Sequence, residues 1–126
     1  MALVASFYQL PPRVLPAIHL VEGGRPGMVS PNTNGSFDLG VMQVNTLWVE
    51  PLARRLRLPA ETVRRLLIDD PCFNIATAGA ILRLHLNESR GDPMRAIGNY
   101  HSRTPPRNQA YQVKLLDAAQ RLFGPR

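Results

Sequence analysis

The placement of proline and glycine limits this chain more than any other feature. Apolar residues recur at spacings of three and four through most of its length, and the breakers stand at the seams between those stripes. From Val14 to Glu22, Leu15, Ile18 and Glu22 share one helical face, and Gly23-Gly24 ends the helix. Asp70-Pro71 and Asp92-Pro93 each pair a capping carboxylate with a proline suited to the first helical position. Ile75, Ala78, Leu82 and Leu86 follow the first as a core stripe, and Met94, Ile97 and Tyr100 follow the second. Pro59 opens a short helix carrying Val63, Leu66 and Leu67, and a last helix from Asn108 to Phe123 lines up Tyr111, Leu115, Ala118 and Leu122 before Gly124-Pro125. The spacing also predicts a helix from Gly40 or Val41 into Trp48, with Leu52 and Leu56 continuing it and Pro51 a candidate new start. Between these lies Arg25 to Gly40, rich in Gly, Pro, Asn and Ser, which reads as a long loop with a short hairpin at Asn34-Gly35. The sum is about five to seven helices and little strand. The fold class is mainly α (α+β), a compact helical domain with a small loop and hairpin region after the helix that ends at Glu22.

The 126 residues suit one domain, 1–126, with its core at about 14–123. Hydrophobic residues at 44% are enough for such a core, and the 12 prolines read as boundaries rather than low complexity. A formal net charge of +6 favours polyanionic partners. No nucleic-acid motif accompanies it, so no nucleic-acid partner is expected. The dense group Arg54, Arg55, Arg57, Arg64 and Arg65 reads as a solvated helical face. Cys72 stands alone, which excludes an intrachain disulfide, and three histidines and one cysteine show no metal-ligand spacing. No apolar run approaches the roughly 20 residues of a membrane span. Met1 to Leu10 lacks a basic leader and a cleavage pattern, so it does not read as a signal peptide.

Of the nine carboxylates, seven have ordinary readings. Asp70 and Asp92 precede proline as caps, with Asp69 beside one of them. Glu61 sits in a first helical turn. Glu50, Glu88 and Asp117 read as surface charges, and Asp38 is the one nearby competitor of Glu22. Glu22 differs because it falls on the apolar stripe of its own helix, one turn after Ile18. Lost hydration and the negative end of the helix dipole both disfavour ionisation there, which would hold the proton nearer neutral pH. A general acid that protonates a glycosidic oxygen needs that property. The competing reading is a surface Glu at a frayed helix end.

Four blocks carry a family resemblance when taken in order. They are Ile18-His19-Leu20-Val21-Glu22-Gly23-Gly24; Ser36-Phe37-Asp38-Leu39-Gly40-Val41-Met42-Gln43-Val44-Asn45; Asp70-Pro71-Cys72-Phe73-Asn74-Ile75 with Gly79-Ala80-Ile81-Leu82; and Ala96-Ile97-Gly98-Asn99-Tyr100-His101-Ser102. Together they span about Val14 to Ala118 and resemble the lysozyme-like lytic transglycosylase (SLT) domain. Asn34 to Gly40 and Tyr100 to Pro105 further resemble the small transglycosylases that accompany type IV secretion, conjugation and type III secretion machines.

The resemblance implies a lysozyme-like fold and peptidoglycan glycan strands as substrate. Glu22 would act as acid and then base, cutting between N-acetylmuramic acid and N-acetylglucosamine to leave 1,6-anhydro ends, with no cofactor and no metal. Ser30 resembles a serine near the catalytic carboxyl. Met42 and Gln43 would line the groove and meet N-acetyl groups, with Asn99 a further groove residue. Tyr100 matches the tyrosine that holds the catalytic Glu, and His101 stands where the family usually has Asn. Residue chemistry alone gives Met42 and Tyr100 plain core readings as well. The implied setting is the periplasm or cell envelope, and the implied partners are secretion or conjugation components, with the domain itself a monomer. Two rivals stay open: a hydrolytic, goose-type-like lysozyme in which Asp38 helps position water, and a catalytically idle wall-binding scaffold module. A basic nucleic-acid binder is the third reading.

Overall fold

The computed structural model describes residues 1–90 and 92–124. Among them are seven α-helices and a three-stranded sheet: α1 (Ala2–Phe7), α2 (Val14–Glu22), β1 (Val29–Pro31), β2 (Phe37–Leu39), β3 (Val44–Asn45), a 3-10 turn (Thr46–Trp48), α3 (Val49–Leu56), α4 (Ala60–Asp69), α5 (Pro71–Glu88), α6 (Pro93–His101) and α7 (Pro105–Phe123). The mainly α class expected from the sequence is what the protein adopts. Its contacts gather into two units. One comprises Glu22–Ala78; the other comprises Met1–Val21 together with the chain from Gly79 onward.

In the Glu22–Ala78 unit the sheet is an antiparallel meander, β1-β2-β3. Val29 pairs with Leu39, Ser30 with Asp38 and Pro31 with Phe37, while Asp38 and Leu39 pair with Asn45 and Val44. Alternation then sorts the side chains: Leu39 and Val44 are buried on one face, and Ser30, Asp38 and Asn45 form a half-buried polar row on the other. The hairpin expected at Asn34-Gly35 is present. Asn32 N–H donates to Ser36 O (2.8 Å) and Gly35 N–H to Asn32 O (3.2 Å), so Thr33-Asn34-Gly35 close a three-residue loop with Gly35 left-handed at φ 86°. Pro31 is tolerated because β1 is an edge strand. α3 and α4 follow, burying Val49 and Ala53, and Val63 and Leu67.

The helix expected from Gly40 into Trp48 is not formed. Residues 40–43 instead make the turn between β2 and β3, and Thr46–Trp48 is a single 3-10 turn. Two observations explain it: Gly40 and Gln43 both take left-handed backbone, at φ 70° and 54°, and the Leu39–Val44 pairing claims the flanking residues for the sheet.

In the other unit, α2 buries Val14, Leu15, Ala17 and Ile18. Asp92 caps α6, its Oδ1 accepting from Arg95 N–H (3.0 Å). α7 starts at Pro105, three residues before the expected Asn108, because Pro105 and Pro106 fill first-turn positions that need no N–H donor. It buries Asn108, Tyr111, Leu115 and Ala118, but Leu122 is 45% exposed and leaves the expected stripe. Gly124 caps the helix; Pro125, read from the sequence as part of the stop, lies outside the described residues. α1 had no counterpart in the sequence reading. Its Val4 and Tyr8, just past its end, press on Gly79, where a Cβ would overlap Val4 Cγ1. α5 starts at Pro71 as expected, with Asp70 Oδ1 accepting from Phe73 N–H (3.1 Å). Its buried line runs through Asn74, Ala78, Ile81, Leu82 and His85, whereas Ile75 and Leu86 are half-buried.

Candidate active site

Glu22 is the last residue of α2 and is half-buried. Gly23 turns the chain out of the helix with left-handed backbone (φ 66°). Gly24 then meets the β2–β3 turn at backbone distance: a Cβ on it would overlap Gly40 O and sit 2.6 Å from Val41 O and 3.0 Å from Gln43 Cγ. No side chain fits there, so glycine is required by close approach. The Glu22-Gly23-Gly24 phrase and the Gly40-Val41-Met42-Gln43 phrase, separate in sequence, are therefore one structural piece.

That turn is built from below. Asn74 has no exposed surface, and all its bonds serve backbone. Its Nδ2 donates to Leu39 O and Leu67 O (2.8 Å each), and its Oδ1 accepts from Met42 N–H (2.9 Å). Gly40 is required for the same reason as Gly24, since a Cβ there would overlap Leu67 O and crowd Asn74 Nδ2. Gln43 is 7% exposed and donates through Nε2 to Gly40 O (2.9 Å). A non-glycine residue held at φ 54° costs on the order of 1 kcal/mol, which the surrounding bonds offset. Met42 is wholly buried within the same turn.

Ser30 lies directly across from Asp38 on the polar face of the sheet. Asn45 Nδ2 donates to Asp38 Oδ1 (3.0 Å) and lies 3.0 Å from Ser36 Oγ, which is 2.6 Å from Asn34 Oδ1. Asp38 is thus a member of a network that fixes the hairpin. Arg64 stacks over the Phe37 ring at 5.7 Å. Among the described residues no three His, Cys, Asp or Glu side chains gather closely enough to hold a metal ion.

Asn99 and Tyr100 belong to the other unit, in the last turns of α6, and both are half-buried. Asn99 Oδ1 accepts from Asn108 Nδ2 (2.7 Å) and lines an open cleft of about 310 Å³ with Glu88, Ser89, Arg95 and Arg103. His101 stacks flat on Tyr111, centroids 4.9 Å apart and planes 3° from parallel, so this residue's ring is used in packing α6 on α7. Asn108 also donates to Arg95 O and Ser102 O (3.1 Å each) and accepts from Gln112 Nε2 (2.6 Å). Gly98 accommodates it, since a Cβ there would overlap Asn108 Oδ1.

The family model for the transglycosylase SLT domain matches residues 4–114 of the chain. The chain belongs to the SLT family. Among curated relatives, this SLT domain is similar to the invasion protein IagB of Salmonella typhimurium, 29% identical over 104 residues, covering 79% of the chain and 61% of the relative. Protein IpgF of Shigella flexneri is 29% identical over 117 residues, 92% of the chain and 73% of IpgF. A peptidoglycan-binding-like protein of Escherichia coli O157:H7 is 28% identical over 124 residues, 94% of the chain and 70% of the relative. The SLT domain thus spans about three fifths of the length of IagB. No described helix is long and apolar enough to cross a membrane.

The sequence places Asn74 only in a block that resembles a structural helix and Asn108 only at the start of the last helix, and assigns neither of them these bonds. The signal for both was present as an amide within an apolar helical stripe, Asn74 four residues before Ala78 and Asn108 three before Tyr111. Buried amides of this kind must be satisfied, so each marks a place where the fold needs several bonds from one side chain.

Proposed function

We propose that this SLT domain is a lytic transglycosylase that cleaves the β-1,4 bond between N-acetylmuramic acid and N-acetylglucosamine in peptidoglycan without consuming water. The reading is carried by one observation: a family match over residues 4–114 in which Glu22 is half-buried at a helix C-terminus, two residues before Gly24, which is seated on the Gly40–Gln43 turn. Partial burial and the helix dipole both favour the neutral acid at the start of the cycle. Glu22 gives its proton to the glycosidic oxygen as the bond to C1 breaks, and the sugar's own N-acetyl group assists at C1. The Glu22 carboxylate then takes the proton of the C6 hydroxyl, whose oxygen closes on C1 to form the 1,6-anhydro ring. One carboxylic acid suffices because the substrate supplies both nucleophiles.

Ser30 acts in this reading as a substrate-facing polar group, while Gln43 and Met42, both buried, support the turn from within. For Asn99 and Tyr100 the proposal is no more than what the resemblance implies for each. The setting is the periplasm or cell envelope. Service to a secretion or conjugation machine is what the resemblance implies, and it accords with the likeness to the invasion protein IagB.

Digestion of purified sacculi followed by mass spectrometry of the sugar termini tests the reaction. Anhydro ends are expected; ordinary reducing ends would replace this reading with a hydrolytic lysozyme. Binding to sacculi with no released fragments would replace it with a wall-binding module. Glu22→Gln should keep the circular dichroism spectrum and lose about 10²–10⁴ in cleavage rate. A fully active Gln variant rejects Glu22 as the acid.

A further inference from the structure

The five arginines from Arg54 to Arg65 do not form one uniform face. Arg64 is occupied over Phe37. At the end of α3, by contrast, Arg54-Arg55-Leu56-Arg57-Leu58 are all exposed, and no carboxylate stands between Pro51 and Ala60. Among the described residues, none of Arg54, Arg55 and Arg57 has a side-chain hydrogen bond or ion pair, while the chain's other described arginines include pairs such as Arg103 with Glu88 (2.8 Å) and Arg121 with Asp117 (3.0 Å). Leu56 and Leu58 are 45% and 38% exposed in the middle of this charge. The helix ends on Arg57 in left-handed backbone (φ 56°), with Leu58 N–H returning to Ala53 O (3.1 Å). Glycine ordinarily fills that position, so an arginine is held there against its conformational preference.

We propose that this turn is a peripheral docking surface for an anionic lipid bilayer. Guanidinium groups match phosphate headgroups in bidentate geometry, and their apolar stems lie comfortably at the acyl boundary. Leu56 and Leu58 then gain an apolar phase just below the headgroups. A soluble polyanion satisfies the arginines and leaves the leucines in water; a bilayer satisfies both. Scattered exposed leucines are ordinary on any surface, and it is their interleaving with three unneutralised arginines that selects this partner.

Sedimentation with vesicles tests it, using phosphatidylcholine alone and phosphatidylcholine mixed with phosphatidylglycerol. The chain should bind only the mixed vesicles, and less as salt rises. Replacing Arg54, Arg55 and Arg57 together by Gln should lower partitioning on the order of 100-fold, about fivefold per arginine. Arg57→Gly alone should cost about fivefold while unfolding at the same or higher temperature, which separates docking from folding. Leu56→Ser with Leu58→Ser should weaken binding several-fold at unchanged charge. Absence of binding to the mixed vesicles overturns the proposal. So does a leucine variant that binds like the parent while soluble polyphosphate displaces both, since the turn would then read charge alone.

Discussion

Each unit of the molecule is organised by one buried asparagine, and the two are used differently. Asn74 spends its amide on three backbone groups, Leu39 O, Leu67 O and Met42 N–H, and is sealed from solvent. Asn108 divides its bonds between the carbonyls of Arg95 and Ser102 and the side chains of Asn99 and Gln112, beside an open cleft of about 430 Å³ that it helps to line. Backbone partners cannot turn away to find water, whereas side-chain amides can. The first arrangement therefore holds a turn in one geometry, which suits groups that must be oriented before chemistry begins. The second holds two helices together while leaving its polar partners able to rearrange.

The largest effect should come from breaking the first arrangement. Asn74→Ala leaves two carbonyls and one N–H without partners in a dry site, at roughly 1–3 kcal/mol each before relaxation, so a loss of about 3–5 kcal/mol is expected. Trp48, the chain's single tryptophan, lies in the same unit and gives the readout: the urea midpoint by fluorescence should drop sharply. A loss under about 1 kcal/mol would mean that the turn does not depend on this amide.

That dependence also marks how far the sequence could be read. α2 ends at Glu22 where periodicity and Gly23-Gly24 put its end, and the Asp-Pro starts of α5 and α6 stand where expected, because caps and breakers act over a few residues. The Gly40–Trp48 stretch was misread for the opposite reason. Its apolar residues satisfy a helical period, but the turn is imposed by Asn74, 32 residues from Met42, and by Gly24 pressing on Gly40. Such long-range bonds leave no local trace beyond an asparagine in an apolar stripe. Within the candidate site, the place of Glu22 at the end of α2 was legible from Gly23-Gly24. The burial of Met42 and Gln43, and the pairing of Ser30 with Asp38, depend on register and on a left-handed residue at Gln43 that no propensity favours.

Asn108→Ala sharpens the comparison from the other side. Four side-chain bonds are removed rather than three, yet Asn99 and Gln112 can pair anew and the cleft admits water to the freed carbonyls. A loss of about 1–2 kcal/mol is expected, less than half that of Asn74→Ala. Hydrogen exchange should report it at the α6 and α7 amides. Equal losses for the two variants would erase the distinction between backbone-bound and side-chain-bound asparagines.

A smaller effect of opposite sign is expected at the end of α3. Arg57→Gly relieves a left-handed arginine, and part of the gain is offset because glycine adds freedom to the unfolded chain. The net should be a stabilisation of about 0.5 kcal/mol, seen as a higher urea midpoint. A destabilised variant would show that the Arg57 side chain supports the turn through contacts that outweigh its backbone strain.

The smallest effect separates the units by pH. His85, buried in the unit that holds Asn108, has its pKa lowered from the ordinary 6.5, chiefly because burial penalises the charged ring. Glu88 Oε2 lies 3.6 Å from Nδ1 and pulls the other way, but that carboxylate is itself held below its usual range by the Arg103 guanidinium at 2.8 Å, whose charge also disfavours a protonated ring. The unfolded chain therefore takes up a proton at His85 more readily than the folded one. This contribution is complete above pH 6.5 and declines as pH falls from there toward the lower folded value, then levels off. Glu88 acts in a separate window: its paired carboxylate adds stability above its ordinary 4.5 that is lost as pH falls below it. His85→Leu should flatten the decline between about pH 6.5 and 5 and leave the acid limb below it in place. If the parent and the variant lose stability in parallel across that range, burial of His85 is not what makes this unit sensitive to acid.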